Sequence, residues 1–135
     1  MNNLDVLKSR KKSSLTRLSR SSKIFKAIIH AIHEKKGQNV VSLDLRKIHE
    51  AVADFFIICE ATNPTQLKAI ADNIEFEVKE NAGESAYKHE GRQGEQWILI
   101  DYVNVVVHVM LPEPRKFYQL EEMWSDAPAM EHPDK

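Results

Sequence analysis

The chain has 135 residues, 42% of them hydrophobic and 29% charged, with a formal net charge of −1. That length suits a single domain with a modest core, and the composition is ordinary for a globular protein. The lone cysteine, Cys59, excludes a disulfide framework and a cysteine-rich zinc site, and no apolar run approaches the roughly 18 residues of a membrane span.

The near-zero charge hides a division. Residues 1–23 hold seven basic side chains against one acid, Asp5, for +6, while the rest of the chain carries −7. An acidic body is a poor platform for RNA, whose binding draws on lysine and arginine at phosphates, and a good one for a basic protein. Residues 1–22 are rich in Ser, Lys and Arg and poor in large apolar groups. They are expected to form a disordered basic arm with weak RNA contact. The arm lacks the apolar stretch of a secretory signal, so the expected location is the cytoplasm; read as a transit peptide, the same arm would direct the chain to an organelle.

Along the body, residues 23–36 place Ile24, Ala27, Ile28, Ala31 and Ile32 on one helical stripe, with Ser21 or Ser22 as N-cap and Gly37 as the stop. Residues 38–45 alternate, with Val41, Leu43 and Leu45 on one side, as a strand does. Residues 55–59 are a continuous apolar run that suits a central strand. Thr62-Asn63-Pro64 then supplies a turn, an N-cap and a first-turn proline for a helix to about Asn81, closed by Gly83. Residues 85–90 fit a short edge strand. Residues 97–102 and 105–111 alternate and are separated only by Val103-Asn104, which predicts an antiparallel hairpin. Pro112 and Pro114 stop the last strand, and residues 115–124 place Phe117, Leu120 and Trp124 on one short helix. The order α-β-β-α-β-β-β-α predicts an α+β (α/β-like) domain over residues 23–128, a mixed sheet flanked by helices. Its strand-helix-strand segments should be parallel crossovers. Residues 129–135 are left as a C-terminal tail.

No constellation for catalysis stands out. There is no GxGxxG, Walker or GxSxG pattern. Cys59 with His108 would suggest nucleophile and base, but Cys59 ends a buried strand, where a thiol is inert packing. His30 and His33, followed by Glu34, could share a face as metal ligands, yet no third ligand is evident in sequence and a solvated helix face is the plainer reading. Asp44, Asp54 and Asp101 lie near strand ends without the paired carboxylates or phosphate loop of a nucleotidyl-transfer site. A binding module without catalytic residues, metal or cofactor is expected.

Residues 41–128 carry an ordered series of motifs. Ala53-Asp54-Phe55-Phe56-Ile57-Ile58 is followed by Lys68-Ala69-Ile70-Ala71-Asp72 and Glu90-Gly91. Then come Trp97-Ile98-Leu99-Ile100-Asp101-Tyr102, Val105-Val106-Val107-His108-Val109 and Phe117-Tyr118-Gln119-Leu120-Glu121, with Trp124 and Asp126-Ala127-Pro128 last. In order and spacing the series resembles the Iojap family, whose bacterial members are called ribosomal silencing factors (RsfS). The resemblance implies a nucleotidyltransferase-like architecture without the catalytic site. It also implies binding to the large ribosomal subunit through its basic ribosomal protein number fourteen. That contact would block joining of the small subunit and lower translation under nutrient limitation; organelle relatives act in large-subunit assembly. On this reading Trp97 is an exposed aromatic anchor, with Glu90, Glu95 and Asp101 as the acids facing a basic partner. Exposed strand edges also allow a homodimer. The chain departs from the family pattern at the hairpin, where Val103-Asn104 stands for Gly-Asp, and at Ala61-Thr62-Asn63, where the family has glycine-threonine-serine; Thr65 replaces an arginine. Valine at positive φ is costly, so a tight turn is expected only with the positive φ on Asn104.

Deleting residues 1–22 should leave the domain folded and shallow the dependence of log affinity for the large subunit on log salt. Binding isotherms at several salt concentrations for both forms check this: the two should converge as salt rises.

Overall fold

The computed structural model describes residues 22–94 and 96–134. The expected arm, apart from Ser22, and the candidate residue Glu95 lie outside the described residues. The first element among the described residues is helix α1 (Lys23–Glu34), whose first turn is capped by Ser22: its side chain accepts from the Phe25 N–H. The helix stops as expected, but the left-handed residue is Lys36, at φ 65°. Gly37 is required for another reason, because a Cβ there would lie 2.5 Å from the Ile32 Cγ2.

Strands β1 (Gln38–Asp44) and β2 (Phe55–Glu60) pair antiparallel, with a bulge near Asn39. Helix α2 (Pro64–Ala82) begins and ends as its sequence predicts. Asn63 Oδ1 accepts from the Gln66 N–H at 2.8 Å, and Gly83 closes the helix at φ 69°. Gln66 also donates from Nε2 to the carbonyls of Lys35 and Lys36, tying the start of α2 to the end of α1. Strands β3 (Lys88–Glu90), β4 (Trp97–Asp101) and β5 (Val105–Met110) follow. With a last strand β6 (Ala129–Glu131), the sheet order is β3-β4-β5-β2-β1-β6, an α+β architecture with a mixed sheet. The β2–β5 pair is parallel, and both strands are buried on both faces, which is why each reads as an unbroken apolar run. The pairings also make β3 run in the same direction as β2, as expected for a strand-helix-strand crossover.

Two differences from the sequence reading concern the C-terminal part. The predicted single helix is two, α3 (Pro112–Tyr118) and α4 (Leu120–Met123), because Gln119 sits in the left-handed region at φ 48°. The break turns Leu120 into the core and leaves Phe117 outside. Residues 129–131, expected in a tail, form edge strand β6 (Ala129–Glu131) against β1.

The sheet has two unlike faces. One carries Phe55, Ile57, Cys59, Ile98, Ile100, Val105, Val107 and Val109 and is covered by α1 and α2. The other carries Phe56, Ile58, Trp97, Leu99, Val106 and Met110. Its cover is thinner: Ala51–Ala53 of the β1–β2 connection, with Tyr118, Leu120 and Trp124 from the short C-terminal helices.

The β4–β5 turn overturns an expectation. The positive φ falls on Val103, at 75°, and not on Asn104. The Asn104 N–H donates to the Tyr102 carbonyl at 2.9 Å, closing a three-residue γ-turn, a strained form in which a β-branched residue is costly. Three hydrogen bonds hold it. Asp101 Oδ1 accepts from the Val103 N–H at 2.7 Å, and the Asn104 carbonyl accepts from the N–H groups of Asp54 and Phe55. Relief of a positive-φ strain of roughly 1–3 kcal/mol outweighs the chain entropy that glycine adds. Val103→Gly should therefore stabilise the fold by about 1 kcal/mol, read from the urea midpoint at unchanged slope.

Candidate partner-binding surface

Trp97 opens β4 on the thinly covered face, opposite Met110 in the register. It is 8% exposed, so the expectation of an exposed anchor is corrected: this tryptophan is part of the core. Its indole Nε1–H donates to His108 Nδ1 at 3.1 Å. That bond assigns the His108 proton to Nε2, since one ring nitrogen of neutral imidazole must accept. Nε2 has no hydrogen-bond partner among the described residues, and the ring lies edge-on to Phe56 with centroids 4.8 Å apart. Burial holds the imidazole neutral, pushing its pKa down to about 3.

The backbone around Trp97 is equally fixed. Gly91 takes φ 91°, and a Cβ there would lie 1.9 Å from the Trp97 carbonyl oxygen; only glycine lets the 91–94 turn lie so close to β4. Arg92 anchors the same turn to α2 through Asp72 at 2.8 Å and Glu75 at 2.5 Å.

From Trp97 an aromatic row leads outward. Its ring packs on Tyr118 at 4.8 Å, and Tyr118 on Phe117 at 5.0 Å. Phe117 is 79% exposed. The exposed aromatic of this surface is therefore Phe117, which the sequence pattern had turned inward. Sequence could have found it only by recognising that Gln119 breaks the helix.

The candidate acids divide. Glu90 stands opposite Leu99 in the β3–β4 register and so shares the Trp97 face at the sheet edge, half-buried. Asp101 is buried, and its carboxylate holds the Val103 turn; it does not face outward as an acid for a basic partner would.

Asp44, Asp54 and Asp101 lie at the same end of the sheet, where β1 and β4 finish and β2 begins, with β5 between β4 and β2. They serve structure there. Asp44 pairs with Arg46 at 2.7 Å, Asp54 is buried with its N–H on the Asn104 carbonyl, and Asp101 caps the turn. Cys59 is fully buried and its thiol pushed up to about 12 by desolvation, which keeps it from acting as a nucleophile.

These features define a mixed-sheet α+β domain that presents an aromatic row, with Glu90 at the sheet edge on the same face. The family model described as "Ribosomal silencing factor during starvation" matches residues 18–135. The ribosomal silencing factor RsfS of Bacillus subtilis is 38% identical over 105 residues, covering 78% of this chain and 87% of that protein. RsfS of Halalkalibacterium halodurans is 35% identical over 111 residues, covering 82% of this chain and 93% of its own. The crystal structure of protein CV0518 from Chromobacterium violaceum superposes with a TM-score of 0.71 at 34% identity, covering 76% of this chain and 83% of that one. The chain belongs to the ribosomal silencing factor family.

The buried imidazole makes stability depend on acidity. An unfolded histidine protonates near pH 6.5, whereas His108 in the fold resists to about 3. Its contribution is complete above about pH 6.5 and falls by ~1.4 kcal/mol per pH unit as the solution is acidified toward 3. His108→Gln keeps an acceptor for Trp97 but cannot titrate. Urea unfolding between about pH 7 and pH 4 should show a shallower loss for the variant than for the parent chain.

Proposed function

We propose that this chain binds the large ribosomal subunit through its basic protein number fourteen and, by occupying that surface, prevents the small subunit from joining. Translation falls under nutrient limitation as a result. No chemical step is needed, because the domain acts by volume and position alone. Phe117 carries the reading: a large aromatic side chain left almost entirely in solvent, backed by Tyr118 and Trp97, on a body with a charge of −7. Interface hot spots favour rigid aromatic groups packed from behind, and basic partners favour acids around them. Glu113 and Glu122 are exposed on the same two short helices, and Glu90 lies at the sheet edge.

In this arrangement Trp97 supports the surface from below. Its removal would empty a core position at a cost of about 3–5 kcal/mol, so loss of binding in Trp97→Ala would not separate contact from folding. Phe117 does separate them. Phe117→Ala should weaken binding to the large subunit by at least ~2 kcal/mol and relieve inhibition of subunit joining, with the melting temperature unchanged. Sedimentation binding and a subunit-joining assay read the two effects. Parent-like affinity in the folded variant would remove Phe117 from the interface.

A further inference from the structure

Away from the aromatic surface, the outer side of the helical layer brings three ligand-type side chains together. His30 and Glu34 lie four residues apart on α1 and share a face, their Nε2 and Oε2 3.5 Å apart. Glu77 reaches the same point from α2, and one ligand atom from each of the three lies within 4.8 Å of the others. Glu77 is forty-three residues further along the chain than Glu34, which is why no third ligand was visible in sequence. We propose that His30, Glu34 and Glu77 form a zinc-binding site that bridges α1 and α2.

The carboxylates are held from outside the trio. Asn73 Nδ2 donates to Glu34 Oε1 at 2.9 Å and to the Ala31 carbonyl at 3.0 Å, so the amide is itself fixed to α1. Asn81 Nδ2 donates to Glu77 Oε1 at 2.8 Å and to the Glu77 carbonyl at 3.0 Å. Each glutamate thus has one oxygen fixed by an amide anchored to a helix carbonyl, the outer-shell arrangement that orients ligands around a metal. The Asn73 contact also holds Glu34 below the ordinary carboxylate range, and a ligand must be ionised.

The chemistry selects the ion. One imidazole and two carboxylates neutralise a divalent charge and match the nitrogen and oxygen ligands of four-coordinate zinc, with water in the fourth position. Calcium takes six to eight oxygens and magnesium retains most of its water, so neither fits this set. Ligand atoms on a tetrahedral zinc sit roughly 3.4 Å apart. Closing from the observed separations needs about 1 Å of movement in side chains that face solvent.

The test is calorimetric titration of the untagged chain with zinc chloride, with cobalt(II) absorption as a readout of tetrahedral coordination. One equivalent should bind, and a hundredfold excess over Kd should raise the melting temperature by at least about 5 °C. His30→Ala and Glu77→Gln should each weaken binding at least tenfold, and Asn73→Ala about tenfold through lost orientation. His89→Ala, at an exposed histidine on β3, should bind as the parent does. Absence of binding at zinc concentrations up to about 1 mM would overturn the site. So would binding that survives either His30→Ala or Glu77→Gln, because the bridge requires a ligand from each helix.

Discussion

The hydrogen bond from the Trp97 indole to His108 is the contact on which the second layer of this protein depends. The indole Nε1–H and the imidazole Nδ1 are buried on neighbouring strands and satisfy each other; leaving either of these two atoms unpaired would cost about 1–3 kcal/mol. The bond fixes the imidazole tautomer, keeps the ring neutral and sets the plane of the indole. Tyr118 then packs on that indole, and Phe117 on Tyr118. An aromatic held out in water on a helix of seven residues has its position determined from the inside of the sheet.

The unequal faces of the sheet explain why this matters. The α1–α2 face is a conventional core, closed by helices of 12 and 19 residues. The opposite face has no long helix among the described residues, so connecting segments and two short helices close it. Arg115 locks those helices to the sheet, donating to the Asn39 carbonyl and to Glu121 and lying 3.4 Å from Glu60. Elements with little intrinsic helix stability must draw their order from such specific contacts. The same economy leaves the Phe117 ring uncovered.

Much of the architecture was legible because its signals are local. The apolar stripe of α1, the Asn63-Pro64 start of α2 and the unbroken apolar runs of β2 and β5 each reflect periodicity or capping that neighbouring residues determine. The exceptions have non-local causes. Strand β6 is three exposed residues with no alternation worth reading, and it exists because β1 offers an edge. Val103 accepts a positive φ because Asp101 and the start of β2 hold the turn from both sides. Trp97 has the type and position of an anchor, but whether a β4 residue meets solvent depends on where Tyr118 arrives, eight residues beyond the end of the hairpin at Met110. Phe117 leaves the apolar stripe it was expected to share with Leu120 because of one residue, Gln119, while Leu120 stays in the core. The motif series drew attention to Trp97, whereas the exposure of Phe117 beside it came only from the packing.

The most direct measurement is the protonation state of His108 by long-range nitrogen–proton NMR at about pH 5, well above its depressed pKa and below that of an unperturbed histidine. The expected spectrum shows a neutral ring with the proton on Nε2 and an unprotonated Nδ1, together with an indole Nε1–H of Trp97 protected from exchange. A doubly protonated imidazolium at that pH, or a ring protonated on Nδ1, would contradict it. The tryptophan would then not be held from within, and the aromatic surface above it would have no fixed foundation.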